Sequence, residues 1–190
     1  MVVPPTALNL LRTELRKRRQ AIAIEWKDIS IQSNSILDAL FAKTQSVALY
    51  RPMGGEPDPL ALLDHFAGVT SLPTLSDDNP LMTFRRWTPN DPLVMSPWGG
   101  EQPCDNADAV VPNIILVPML GFDAAFNRIG QGGGHYDRYL AAHPQAARIG
   151  VAWEAQRVDS IDPQPWDVPM DAILTEAGFY VKDLTRCQRL

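Results

Sequence analysis

Apolar positions along this chain switch between two periods. Leu8, Leu11, Leu15 and Ile22 keep one stripe at 3.6-residue spacing, which predicts a first helix with Thr6 placed to cap it. Arg12, Arg16 and Arg19 run beside it at i, i+4 and i+7. A second helix is expected over about 28–43, turning Ile29, Ser33, Ile36, Leu37 and Leu40 inward. Val47-Ala-Leu-Tyr50 reads as a short buried strand closed by Arg51-Pro52 and a Gly54-Gly55 turn. Asp58 as N-cap, Pro59 at the first helical position and Gly68 beyond the end punctuate a third helix. Strands are expected at 69–72 and 81–87, separated by a polar turn around 76–79, with a loop over 88–111. Ile114-Ile-Leu-Val117 is the most strand-like run: continuously apolar, β-branched at its start, stopped by Pro118. A helix from about Tyr136 to Ala142 precedes two more buried strands, Ile149-Gly-Val-Ala152 and Ala172-Ile-Leu-Thr175.

Strands that alternate with helices and read as unbroken apolar runs predict an α/β fold. The expected architecture is a three-layer α/β/α single domain over residues 1–190 with a largely parallel central sheet. Composition sharpens this at one place. Of 17 prolines, eleven lie between Pro52 and Pro118, so the middle of the chain cannot hold long helices. Two cysteines, Cys104 and Cys187, are too few for a disulfide framework and match no metal spacing, which favours a reducing compartment. No apolar segment is long enough to span a membrane and no leader peptide is visible, so a cytoplasmic protein is expected, monomeric or weakly dimeric. The net charge of −5 argues against nucleic acid as a partner. It is unevenly spread: the first 20 residues sum to +4 and the other 170 to −9.

Candidate chemistry concentrates in Gly121-Phe-Asp-Ala-Ala-Phe-Asn-Arg-Ile-Gly-Gln-Gly-Gly-Gly-His-Tyr-Asp-Arg138. Four glycines in five positions, Gly130 and Gly132 to Gly134, stand before a helix start. Such a loop lets backbone N–H groups approach an anion, and the helix dipole adds to the attraction. Arg128 precedes the loop, and Asp137 follows it as a candidate carboxylate for a divalent cation. A nucleoside triphosphate with Mg²⁺ requires this combination. Neither common phosphate motif is present: no Lys follows the glycines, and His135 stands where a dinucleotide fingerprint needs its third glycine. Taken as bare glycines, a turn made flexible for packing remains an equal reading.

The flanking residues make the string far more specific. Phe122-Asp123-x-x-x-Asn127-Arg128-Ile129-Gly130-x-Gly132-Gly133-Gly134-His135-Tyr136-Asp137-Arg138 resembles the signature of the 5-formyltetrahydrofolate cyclo-ligase family. Leu11-Arg12 and the basic helix behind it resemble that family's K-x-x-L-R element. Leu49-Tyr50 through Met53 to Glu56 resembles its folate-side strand and loop. Leu116-Val117-Pro118, Gly150-Val-Ala-Trp-Glu154 with Gln156, Asp167-Val-Pro-Met-Asp171 and Thr175-Glu176 agree in order and spacing. The resemblance implies an enzyme that uses ATP and Mg²⁺ to convert 5-formyltetrahydrofolate to 5,10-methenyltetrahydrofolate, releasing ADP and phosphate.

By position, the resemblance implies that Arg128, Ile129, Gly130, Gln131, Gly132, Gly133, Gly134, His135 and Tyr136 hold the triphosphate. Arg12 would reach the phosphates or the formyl end of the folate, and Arg12 and Arg128 would be the catalytic cations. Glu56 would accept pterin N–H bonds, Arg51, Met53, Gly133 and His135 would line the folate pocket, and Asp137 and Asp167 would be the Mg²⁺ carboxylates. The chain departs from the pattern at three places: Leu8 replaces the family lysine beside the nucleotide, Thr74 a frequent basic residue, and Phe126 a frequent glycine. A catalytically weakened folate- or nucleotide-binding protein is therefore an alternative; a sugar-phosphate isomerase-type enzyme of similar layering lacks a clear base. Arg16, Lys17, Arg18 and Arg19 are expected on a solvated helix face. His65 and His143 are expected at surface or helix-end positions, Asp171 in a structural role, and Phe84, Trp87 and Trp98 in packing rather than folate stacking.

Overall fold

The computed structural model describes residues 7–76, 81–97 and 99–186. Thr6, Trp98, Cys187 and part of the 76–79 turn lie outside the described residues. In chain order the elements are α1 (Ala7–Glu25), α2 (Ser35–Phe41), β1 (Ser46–Ala48), a 3₁₀ helix (Pro59–His65), β2 (Val69–Thr74), β3 (Thr83–Arg86), β4 (Leu93–Met95), β5 (Glu101–Pro103) and β6 (Ala109–Val110). They continue with β7 (Ile114–Pro118), β8 (Gly121–Phe122), β9 (Arg128–Ile129), α3 (His135–Ala142), β10 (Ala147–Val151), β11 (Ala172–Thr175) and β12 (Gly178–Val181); a second short 3₁₀ turn spans Glu154–Gln156.

Among the described residues, eight strands form the central sheet in the order β12-β11-β10-β7-β1-β2-β3-β6. The five inner strands, β11 to β2 in that order, pair in parallel, while β12, β3 and β6 join antiparallel at the two margins. The unbroken apolar run of β7 is central because only a strand covered on both faces can be apolar at every position. Ile114 and Leu116 enter one core with Leu37 and Phe41 of α2 and Leu62 of the 3₁₀ helix. Ile115 and Val117 enter the opposite core with Tyr139 and Leu140 of α3. Each such side chain contributes about 1.5–3 kcal/mol on burial. The result is the expected α/β/α layering around a mostly parallel sheet. No described helix is long and apolar enough to cross a membrane.

Several local expectations are corrected. α2 starts at Ser35, not near 28, because the Asn34 side chain caps it by accepting from Ile36 N and Leu37 N at 3.0 and 3.1 Å. Ile29 and Ile36 are consequently exposed, and Ile31 is buried instead. The Asp58-Pro59 punctuation holds, with Asp58 Oδ1 accepting from Leu60 N, but the segment winds as a 3₁₀ helix. The expected loop over 88–111 contains the β4–β5 hairpin and β6. Phe84 and Trp87 are buried core residues, as their packing reading requires.

Candidate active site

Strand order places the site. The chain leaves β1 toward β2, β3 and the β6 margin, then returns on the other side of β1 as β7, so the order reverses between β1 and β7. Crevices at the carboxyl ends of strands flanking such a switch are where open α/β sheets bind ligands. A cavity of about 440 Å³ opens there. It is lined by Tyr50, Arg51, Met53 and Glu56 after β1, Pro73 and Leu75 at the end of β2, Pro118 and Met119 at the end of β7, and the whole glycine loop. The volume falls in the usual range for small-molecule sites, about 300–1,000 Å³.

The glycine loop is built for close approach. It joins β9 to α3, and Gly134, at φ 64°, is the N-cap, leaving no side chain over the helix's free N–H groups. Gly132 takes φ 107°, a conformation that a side chain would strain. The Arg128 guanidinium is nearly buried and donates to Asp137 Oδ1 at 2.7 Å; the same oxygen accepts from Val168 N at 3.1 Å. Arg128 Nε is buried without a hydrogen-bond partner. Asp167 also lines the cavity, its Oδ2 accepting from Gln164 N at 2.8 Å. Behind the loop, buried Asp123 accepts from Ala125 N, Asn127 N, Asn127 Nδ2 and Ile161 N, which folds the β8–β9 turn and tethers the 161–167 segment.

On the opposite wall, Glu56 is almost buried and accepts from Arg19 at 2.8 Å and from Met53 N at 3.1 Å. Burial pushes its carboxyl above the ordinary value, and the Arg19 guanidinium opposes that rise. Burial and the neighbouring Glu56 raise the Tyr136 hydroxyl well above its usual range, against a lowering by Arg128. Arg19, expected on the solvated face, is 2% exposed. That expectation fails because α1 lies against the body of the protein, with Leu15 packed on Leu120 and Ile129, which buries the Arg19 side of the helix while Lys17 and Arg18 stay exposed. Arg12 Nε reaches Gly130 O at 3.2 Å, and Arg16 binds Gln131 through Oε1 at 2.8 Å and O at 3.1 Å.

A family model described as the 5-formyltetrahydrofolate cyclo-ligase family matches residues 6–176. The chain belongs to this family. It is 29% identical over 177 residues to the 5-formyltetrahydrofolate cyclo-ligase of Haemophilus influenzae, covering 86% of this chain and 95% of that protein. The cyclo-ligase of Mycolicibacterium smegmatis is 30% identical over 184 residues, covering 90% and 94%. The NMR structure of the Aquifex aeolicus 5,10-methenyltetrahydrofolate synthetase superposes with a TM-score of 0.64 at 26% identity, over 90% of this chain and 92% of that one.

In this cyclo-ligase family member, the residues assigned from the sequence to nucleotide, folate or metal line one cavity: Leu8, Arg12, Arg51, Met53, Glu56, Asp167 and the run from Arg128 to Asp137. Thr74 does not; its hydroxyl meets Thr83 Oγ1 at 2.8 Å across β2–β3. Phe126 holds φ 68°, the left-handed backbone for which the family's glycine is suited, while its ring packs on the core beside α3. Asp171 is buried, accepts from Arg148 N and pairs with Arg186, away from the cavity. Sequence reasoning missed three parts of the wall. These are Met82 beside β3, the β4–β5 hairpin with Ser96 and Gln102, and the 161–166 segment with Asp162 and Trp166. The Gly99-Gly100 pair was the available signal for the hairpin.

Among the described residues no group of three or more His, Cys, Asp or Glu gathers as metal ligands. Magnesium usually takes one or two carboxylates and completes its shell with water and phosphate oxygens. Asp137 and Asp167 therefore fit an ion that arrives with a polyphosphate.

Proposed function

We propose that this protein converts 5-formyltetrahydrofolate to 5,10-methenyltetrahydrofolate at the expense of ATP. The observation that carries the proposal is one cavity with two different walls: a glycine loop backed by Arg12 and Arg128, and a buried carboxylate, Glu56, across from it. A formamide oxygen is a poor leaving group. Transfer of the γ-phosphoryl to that oxygen breaks the bond to ADP and forms a formyl–phosphate ester. N10 then attacks the formyl carbon and loses its proton, and the C–O bond breaks to release phosphate. No covalent enzyme nucleophile is needed, so the protein positions reactants and offsets charge on phosphoryl oxygens. The loop amides and the α3 N-terminus hold the triphosphate; Arg12 and Arg128 stabilise the charge that develops during transfer. Glu56 orients the pterin through paired N–H donors, with Arg51, Met53, Gly133 and His135 around the folate. Magnesium bound with ATP would neutralise phosphate charge, held by Asp137 and Asp167. We take residues 1–190 as one domain of this kind, acting as a monomer or weak dimer in the cytoplasm.

The test is the appearance of the methenyl chromophore and of ADP from purified protein, 5-formyltetrahydrofolate, ATP and Mg²⁺. Arg128→Ala and Asp137→Asn should each reduce the rate on the order of 10²-fold with the fold retained by circular dichroism. Near-wild-type rates in both would refute the assignment. Leu8, which lines the cavity where the family lysine stands, favours a second reading, a weakened binder. Folate binding without ADP release would select it.

A further inference from the structure

The first helix holds both walls of the cavity through one row of arginines. Arg19 spends its guanidinium on four acceptors: Gly54 O at 3.0 Å, Met53 O at 3.2 Å, Met119 O at 3.3 Å and Glu56 Oε1 at 2.8 Å. Seven residues earlier on the same face, Arg12 holds Gly130 O, and Arg16 between them holds Gln131. At 1.5 Å per residue, Arg12 and Arg19 are separated by about 10.5 Å along the axis. The loop lies tightly on the helix, since a Cβ on Gly55 would come within 2.9 Å of Ala23 Cβ and 3.0 Å of Arg19 O. A carboxylate offers about four acceptor sites. Arg19, Met53 N and the Gln131 amide take three of these and fix the orientation of Glu56, leaving one site for a ligand N–H, and a second where the ligand displaces the Gln131 amide.

We propose that Arg19 is a positioning residue for the folate: it orients the Glu56 carboxylate and, through α1, sets its distance from the glycine loop. This rests on the cyclo-ligase reading. A purely structural salt bridge would support the fold but not discriminate between the two substrates; apart from Met119 O, Arg19 bonds only the 53–56 folate wall and no residue of the glycine loop, so its loss should be felt by folate. It is also the only cation in contact with Glu56 among the described residues, which otherwise faces the hydroxyls of Tyr50 and Tyr136, the Gln131 amide and Met53 N–H.

The experiment compares wild type, Arg19→Lys, Arg19→Met, Glu56→Gln and the double variant Arg19→Met/Glu56→Gln in steady-state assays, with thermal unfolding of each. Arg19→Met should raise the folate KM about tenfold or more while the ATP KM stays within about twofold. Arg19→Lys should fall between, and the double variant should be no worse than the poorer single variant. The folate KM of Arg19→Met should rise more steeply than that of wild type as pH is lowered from about 8 to about 6, because the uncompensated carboxyl takes up a proton more readily. Parallel rises in both KM values, or additive losses in the double variant, overturn the proposal. If Arg19→Met does not fold, Arg19→Lys and Glu56→Gln decide by the same KM split. If wild type yields no methenyl product, the cyclo-ligase reading fails; fluorescence titration with folate in the absence of ATP then still reads Arg19 separately, and equal binding by wild type and Arg19→Lys overturns its role.

Discussion

Leu8 stands one turn before Arg12 on the cavity side of α1 and is 39% exposed. A lysine there would add a cation to a cavity already lined by Arg12 and Arg128, but in a partly hydrated position where an ion contact contributes about 0–1 kcal/mol. Leu8→Lys should therefore lower the ATP KM by at most about fivefold, leave the folate KM unchanged, and raise kcat/KM for ATP to the same extent. A higher ATP KM, or a change in the folate KM instead, would show that position 8 does not face the phosphates. Residue-level assignments drawn from the glycine string all converge on one cavity because each is a local covalent neighbour of the loop. Arg19 was misjudged for the opposite reason. On an isolated helix it is one more charge in a basic run, and only the packing of α1 against the body of the protein buries it.

At the scale of elements, α1 and the 53–56 loop form a single unit joined by Arg19 and by the glycine backbone at Gly54 and Gly55, at φ 56° and 83°. Gly55→Ala would drive a methyl into Ala23 and the Arg19 carbonyl while straining a left-handed backbone. Overpacking and strain of this kind cost about 1–3 kcal/mol. The expected outcome is a lower midpoint of thermal unfolding together with a higher folate KM and an unchanged ATP KM. A stability loss with both KM values intact would uncouple the loop from the site. The expected start of the Asp58 helix was met because Asp58 and Pro59 mark it, whereas α2, expected from about 28, starts only at Ser35, and the 3₁₀ winding was not foreseeable from apolar spacing. The β4–β5 hairpin escaped because its strands are short and half-exposed, so alternation is too brief to register. Its placement comes from Gln102, whose buried amide exchanges hydrogen bonds with Leu75 N and O at 3.0 Å each.

For the whole molecule, the Glu56 carboxyl links pH to both stability and binding. Burial raises its folded pKa above the unfolded value. The native state then binds the proton more tightly, so this group's contribution to stability is present below the unfolded pKa and lost as pH rises through the folded value. Folate affinity should run the other way, since in the proposed binding mode it is the ionised carboxylate that accepts the pterin donors. Lowering pH through the folded pKa should therefore raise the folate KM while the stability difference between wild type and Glu56→Gln shifts in favour of wild type. A folate KM that falls, or a stability difference that moves against wild type, as pH is lowered would exclude Glu56 as the linking group.

Much of this architecture was determined by sequence alone. Continuous apolar runs at 114–117, 149–152 and 172–175 require strands covered on both faces, and helical periods between them supply the covers. The glycine string offered a backbone open to an anion. Which strands become neighbours, and hence where the two walls meet, was decided only by the tertiary structure. The reversal of order between β1 and β7 brings Glu56, some 70 residues from the glycine loop in the chain, into the same cavity. Charge at the start of the chain was legible as a basic helix, but its division into a row that grips two loops, with Arg19 buried at its end, and a solvated remainder depends on tertiary packing.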